Sequence, residues 1–527
     1  MQFMNYLHEA VFGLSRTLRW SYLPPLMVYL AAGISGLTAI VGTFFVKDYL
    51  GLSAAFLAGL GFWAGLPWAL KMPIGHLVDL FWKHKRYLVY LGALVITASL
   101  LIMYGLIQHT AVMAKFLSIE AWYVLSVLLA PIGYVLQDVV ADAMTVEAVP
   151  DFSDDGSPLA ASEIKEMHTT MQALGRFAVI GGSFAVALLN VIVFSGVDAL
   201  SQPEKQDVYA SIYLYALAIP CVSIFGVIMG RYLHTEQNIS EKYTRAHEVR
   251  PNWPILLGSL VFVIFSISIG ASDLPFAQEL VFLGSMVIIV FLMTQLIAYL
   301  PSDKRLMIVG TAIAIFVFRA VPAPGPGLTW FEIDVLLFDE QFLSVLGAIS
   351  SALTLVGIVL LRPLVATYSI ARIIVVLSLL GGVLFLPSIG LYYGLHHWTS
   401  TLTAGIVDAR FIAILNTALE SPLGQIAMIP MLAWIARNAP DALKATFFAV
   451  FASFTNLALS ASALATKYVN ELFVVSREVV DKATGQITTA ANYSELGLLL
   501  ISVALITVIV PIVAVFIVQK SPLRSVE

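Results

Sequence analysis

The stretch GYVLQDVVADAMTVEAVP, residues 133–150, decides how this chain folds. It is apolar enough to cross a membrane as a helix, yet it carries Asp138, Asp142 and Glu147. By insertion scales, an ionised carboxylate facing lipid costs roughly 2.5–3.5 kcal/mol. A helix with this sequence must turn its acids toward a bundle interior or a water-filled cavity, or keep them protonated. Asp138 and Asp142 stand four residues apart and share one helical face. Ionised together they repel one another, which leaves proton carriage, substrate contact and a structural ion pair as open roles. Glu147 sits where the stretch runs out into water.

The rest of the chain supports the membrane reading. Of its 527 residues 59% are hydrophobic and 12% charged, and the mean hydropathy is +0.90. A soluble domain is nearer one quarter charged. The net charge of -5 says little, because the charges cluster in loops and at a few special positions. The single Cys221 excludes a disulfide framework and a thiolate metal cluster. Arg16 and Arg19 precede an apolar segment too long for a signal peptide, so a spanning helix is expected there.

A spanning helix needs about 20 mostly apolar residues. Fourteen segments qualify: about 22–46, 53–72, 87–108, 121–148, 167–195, 208–231, 254–271, 279–300, 305–322, 341–361, 370–393, 405–436, 443–468 and 494–519. With the N-terminus in the cytoplasm, the inner loops and C-terminus hold Lys83, Lys85, Arg86, Arg231, Lys242, Arg245, Arg250, Lys304, Arg305, Arg437, Lys520 and Arg524, while the outer loops at 272–278, 323–340 and 394–404 hold no Lys or Arg. By the positive-inside rule both termini are cytoplasmic. Arg477 and Lys482, in the outer 469–493 loop, are the exception.

Two internal matches occur in the same order. AVPD at 148–151 and NAPD at 438–441 each introduce a helix rich in small residues, and KDYLGLSAAFLAGLG at 47–61 parallels LLFDEQFLSVLGAIS at 336–350. Duplication then gives an N-terminal six-helix half (1–232), a linker with an inserted helix pair (233–303) and a C-terminal six-helix half (304–527). The expected fold class is an all-α polytopic membrane protein. Two duplicated six-helix halves are the architecture of major facilitator transporters, whose substrate sites lie near the bilayer midplane.

The charged positions are the candidates for function. The loop GHLVDLFWKHKR, 75–86, resembles the inner loop of major facilitator proteins, and with Lys71 it makes Gly75 and Asp79 gating candidates. Arg176 in ALGRFAV, some ten residues (~15 Å of rise) into its segment, and Arg319 in FVFRAVP are candidates for an anionic substrate. A guanidinium stays charged and binds carboxylates bidentately. Pairing with Asp138, Asp142 or Glu420 is the alternative for each. Glu420 precedes Pro422, and a helix broken there would expose carbonyls beside a carboxylate; Asn416 and Gln425 share its sector. The acidic stretch APGPGLTWFEIDVLLFDE is expected to be a solvated outer loop. His396 and His397 lack companions for a metal site. No G-x-S-x-G, Walker loop or H-E-x-x-H is present, so no enzyme, cofactor, metal or nucleic-acid partner is expected, and any transport is secondary or facilitative.

Taken in order, several blocks resemble the folate–biopterin transporter (BT1) family of the major facilitator superfamily. They are FFVKDYLGLSAAF, LPWALKMPIGHLVD, the opening stretch, FVFRAVPAP with WFEIDVLLF, and IPMLAWIARNAPDALKATFFAVFASFTNLALS. The resemblance implies uptake of pterin-type compounds with protons, and it adds Glu147 and Asn456 to Lys71, Asp79, Asp138 and Asp142 as matching positions. Lys444 stands where the family is expected to be acidic, reversing a charge at the inner gate. The helix pair at 254–300 falls outside the resemblance, and contact with a partner or a second copy is its expected role. The reading is therefore a symporter for a small anionic or cofactor-like solute, in a bacterial inner membrane. An importer of muropeptide or acetyl-coenzyme A type, and a non-transporting assembly or receptor protein of the same fold, stay open beside it.

Overall fold

The computed structural model describes residues 19–235 and 253–524, except residue 51, most of 70–83, most of 151–158, 271, 273, 298–300, 368, 424–443 and 481–486. Asp79 and Gln425 lie outside the described residues, as does the side chain of Lys444. Two units pack separately. Met1–Val41 with Pro73–Asn252 form the first, and Gly42–Met72 with Trp253–Glu527 the second. The sequence repeat suggests a first half of 1–232; by packing, residues 42–72 go with the later part of the chain.

Helices occupy the described part of every segment that hydropathy marks. They are α1 (Leu23–Ile34), α2 (Ala39–Tyr49), α3 (Ala54–Ala69), α4 (Arg86–Gln108), α5 (Ile119–Ala148), α6 (Ala161–Val193), α7 (Gln202–Ala216) and α8 (Ala218–Thr235). Then come α9 (Trp253–Gly270), α10 (Ala277–Ile297), α11 (Ser302–Arg319), α12 (Pro326–Asp334), α13 (Glu340–Thr367), α14 (Ile370–Tyr392), α15 (Ala409–Glu420), α16 (Lys444–Leu472) and α17 (Leu496–Lys520). Among the described residues, eight helical stretches are long and apolar enough to span a membrane, and Ala54–Ala69 and Ala277–Phe291 are shorter apolar helices. A small hairpin, Val479–Val480 with Ile487–Thr489, precedes α17.

In the first unit α1 packs against α5, α6 and α8, and α4 packs against α5. Small residues permit these contacts, as is usual where lipid supplies no hydrophobic drive. A β-carbon on Gly33 would lie 2.1 Å from the Val179 carbonyl oxygen, and one on Gly92 would lie 2.6 Å from that of Gly133. Polar stitches fix the register. Ser183 donates to the Gly33 carbonyl at 3.2 Å. Ser99 and Ser126 donate to each other's carbonyls at 2.8 and 3.0 Å. Gln137 donates to the Val89 carbonyl and accepts from Ser223, 2.9 Å away.

In the second unit α3 lies along α16, and α14 along α17. Asn456 donates to the Trp68 carbonyl at 3.1 Å. The pair α9–α10 docks on the same helices. Phe62, Leu66, Val281 and Leu464 form one buried cluster, Gln278 donates to the Gly59 carbonyl at 3.1 Å, and Lys467 stands 3.4 Å from Glu279. Leu260, Val261, Ile264 and Ile267 on α9 are more than half exposed, as suits a face turned to lipid.

The acidic stretch after α11 departs from the sequence expectation. It is not a solvated loop. Pro322 and Pro324 stop α11, and Pro326 opens α12 at a position where its missing N–H costs nothing. Ser462, Thr466 and Asn470, spaced by four on α16, satisfy the extended backbone between. Ser462 donates to the Val321 carbonyl (2.6 Å), Thr466 accepts from Ala323 N–H (2.9 Å), and Asn470 donates to the Pro324 carbonyl (3.2 Å). Trp330 and Phe331 are buried, and the buried Arg477 guanidinium lies 5.3 Å from the Trp330 ring. The exceptional outer-loop cation thus packs inside.

Burial lifts the Glu332 carboxyl from its usual 4.5 to about 7. Its folded-state affinity for a proton exceeds that of the unfolded chain, so its contribution is fully present below about pH 4.5 and is lost as pH rises through 7. Melting temperature is expected to fall between pH 5 and pH 8. Glu332→Gln should flatten that fall and melt about a few °C higher at pH 8. Parallel curves for the two proteins would exclude this role for Glu332.

Candidate functional site

The opening stretch is one unbroken helix in the structure. Ser118 caps α5 by accepting from Ala121 N–H at 3.1 Å. The helix continues through Pro131 to Ala148. Gly133 lets α5 close on α4, and the half-buried Asp138 and Asp142 lie away from that contact, toward α1.

Their neighbour is a residue that sequence reasoning missed. Tyr29 on α1, 8% exposed, donates to Asp142 Oδ1 at 2.5 Å. Its ring is admitted by Gly175 on α6, where a β-carbon would sit 2.9 Å from Tyr29 Cε2. Asp138, Asp142 and Arg176 all exert their charge on Tyr29. The structure therefore sets Asp138 and Asp142 of α5 and Arg176 of α6 around one tyrosine of α1. Arg176 is exposed, and it forms no ion pair or hydrogen bond among the described residues.

Depth differs from the sequence estimate for Arg176. α6 begins at Ala161, six residues before the hydropathy boundary at 167, so Arg176 lies fifteen residues (~22 Å) into the helix. Its apolar portion is Leu174–Val193, which puts Arg176 near one end of the span. Asp142 is six residues (~9 Å) from the end of α5. Ser21, just before α1, donates to the Ala148 carbonyl at 2.9 Å and marks the same end of the bundle. Glu147 forms a half-buried ion pair there with Lys85. Burial draws the Lys85 ammonium below its usual range, and Glu147 opposes that shift. Gly75 has room for a methyl group, with Val139 Cγ1 at 3.9 Å.

The second-unit candidates are spread out. Arg319 is the last residue of α11 and is half-buried. Asn416, half-buried, and Glu420, exposed, lie one turn apart on α15. Around Pro422 the helix tightens. Regular α-helix ends at Glu420, and Ser421–Leu423 form a tighter turn. α13 holds it, through Thr354 donating to the Ser421 carbonyl at 3.1 Å and through Gly357, where a β-carbon would meet Pro422 Cα at 2.7 Å. Lys71 is helical and half-buried.

The apolar helices and the ionisable side chains among them are those of a multi-pass membrane protein. Solved structures share its fold. A POT family transporter in complex with 5-aminolevulinic acid superposes with a TM-score of 0.60 at 13% identity, covering 96% of this chain and 96% of that one. The nucleoside transporter NupG gives 0.53 at 13%, covering 96% and 100%. The chain belongs to the BT1 family, whose pattern matches residues 32–175 and 250–526. A curated relative, the folate-biopterin transporter of Synechocystis sp. (strain ATCC 27184 / PCC 6803 / Kazusa), is 23% identical over 458 residues, 86% of this chain and 75% of that protein. It follows that the chain is a membrane transporter, not an enzyme. One expectation is corrected: the second matched stretch runs through α9 and α10, so that pair lies inside the family region rather than outside it.

Proposed function

We propose that this chain is a secondary transporter that moves a small anionic, cofactor-like solute of folate or pterin type by alternating access, with protons as the coupling ion. On this reading it sits in the bacterial inner membrane with both termini in the cytoplasm. The observation that carries the proposal is the exposed Arg176, which forms no ion pair among the described residues and acts on Tyr29 together with Asp138 and Asp142. Asp142 accepts from the Tyr29 hydroxyl, and the Arg176 guanidinium is the group we assign to an outside anion. A guanidinium at the end of an apolar span can take an anion as counter-ion, and the glutamyl carboxylates of a folate would supply one in bidentate geometry. The paired acids offer a place for the co-transported proton. The name of the Synechocystis relative supports the substrate class.

The test is thermal stability of the detergent-solubilised protein with folate, biopterin and unrelated metabolites. A ligand at a hundred times its dissociation constant stabilises by about 2.7 kcal/mol. Folate or a pterin should raise the melting temperature by about 5 °C or more. A rise with another anion and none with any pterin or folate would overturn the substrate class.

A further inference from the structure

Five cations converge at one end of three packed helices, all within the second unit. Lys304 and Arg305 stand in the first turn of α11, Arg372 in the first turn of α14, and Lys520 and Arg524 at and just beyond the end of α17. Packing makes them neighbours. Ile308 of α11, Ile370 of α14 and Val515 of α17 share one buried cluster. Gly497 lies against Tyr392 and Gly382 against Val508, so α14 and α17 run antiparallel and Arg372 stands level with the last turn of α17. Beyond α17 the chain turns back. Arg524 N–H donates to the Ser521 carbonyl at 3.2 Å, and Gly310 makes room on α11 for the Leu523 carbonyl. Arg305 is five residues (~7.5 Å of rise) from that contact. All five cationic residues are exposed. Across 301–306, 369–373 and 517–524 the sequence holds one acid, Asp303.

We propose that these cations hold the phosphate headgroup of an anionic phospholipid whose acyl chains lie along α17. Lys304, Arg305 and Arg372 occupy helix first turns, where the macrodipole favours acids and opposes bases. A bound anion removes that conflict. The surface beside them is apolar. Leu306 and Val376 are exposed, and Phe516 and Ile517 on the last turns of α17 are more than half exposed. Lys520 bends back along this surface, with Nζ 4.1 Å from the centre of the Phe516 ring, so its stem covers apolar area while its ammonium stays at the rim. Cations that close an apolar helix face match the two parts of a lipid, headgroup and chains. A free phosphate would answer the charge and leave the apolar face without a role.

Native mass spectrometry of the detergent-solubilised full chain tests this, with phosphatidylglycerol and phosphatidylcholine titrated in turn. Phosphatidylglycerol should bind the parent more tightly than phosphatidylcholine. Each cation near a membrane surface contributes about a five-fold gain in affinity for anionic lipid. Lys304→Gln combined with Arg524→Gln should therefore weaken phosphatidylglycerol binding about 25-fold and leave phosphatidylcholine binding unchanged. Neither side chain forms an ion pair among the described residues, so the variant should melt with the parent in phosphatidylcholine. Arg19→Gln combined with Lys115→Gln removes the same charge from exposed positions of the first unit and should keep the parent's affinity. Equal binding of the two lipids by the parent would overturn the site, and so would equal weakening by the two pairs of substitutions. Displacement of phosphatidylglycerol by an equal concentration of inorganic phosphate would overturn the lipid as occupant. None of these outcomes depends on which solute the protein carries.

Discussion

Replacing Arg176 by alanine is expected to cut stabilisation by folate to about half or less while leaving the unliganded protein folded. The side chain is exposed and makes no ion pair among the described residues, so its removal strands no buried partner. A charge-assisted hydrogen bond contributes about 1.5–3 kcal/mol. Its loss corresponds to about a ten- to 150-fold weaker dissociation constant. Arg176→Lys keeps the charge but not the fork and should fall between. If Arg176 were instead a structural cation, the alanine variant would melt earlier without ligand and keep its ligand response. Melting curves with and without ligand separate the two outcomes.

Gly33→Ala is expected to damage both folding and binding. The added β-carbon would lie 2.1 Å from the Val179 carbonyl oxygen, a backbone atom that cannot swing aside. Overpacking of this kind costs about 1–3 kcal/mol, and α1 must slide or tilt against α6. That crossing also sets Tyr29 against Gly175 and thereby places the carboxylates relative to Arg176. The variant should melt about 3–10 °C lower and lose its ligand response. Gly36→Ala, one turn on, has nothing within 4 Å and should behave as the parent. Equal melting temperatures for the two variants would show that the α1–α6 contact is not tight.

Much of this was legible in the sequence, and for one reason. Lipid forces backbone hydrogen bonds inside each segment, so a run of apolar residues specifies a helix. The common face of Asp138 and Asp142 followed from spacing alone. Other features depend on contacts that spacing does not record. Tyr29 is one of 20 tyrosines, and only the gap left by Gly175 marks it as a partner of Asp142. Arg176 lies fifteen residues into its helix rather than about ten into its hydropathy segment, because α6 starts before its apolar stretch, which hydropathy measures and helix length does not. The stretch after α11 read as a loop because its prolines, glycines and acids are loop residues. Its anchors, Ser462, Thr466 and Asn470, lie some 140 residues away. The spacing of those three, with Pro326 ahead of Trp330 and Phe331, was the available signal.

The most direct test is uptake of labelled folate and biopterin by proteoliposomes, with and without an inward proton gradient, for the parent chain and Arg176→Ala. Saturable uptake that the gradient accelerates, and that the variant lacks, is the expected result. Uptake of neither compound under any gradient, or equal uptake by parent and variant, would contradict the assignment of an anionic pterin-type solute to the cluster around Tyr29.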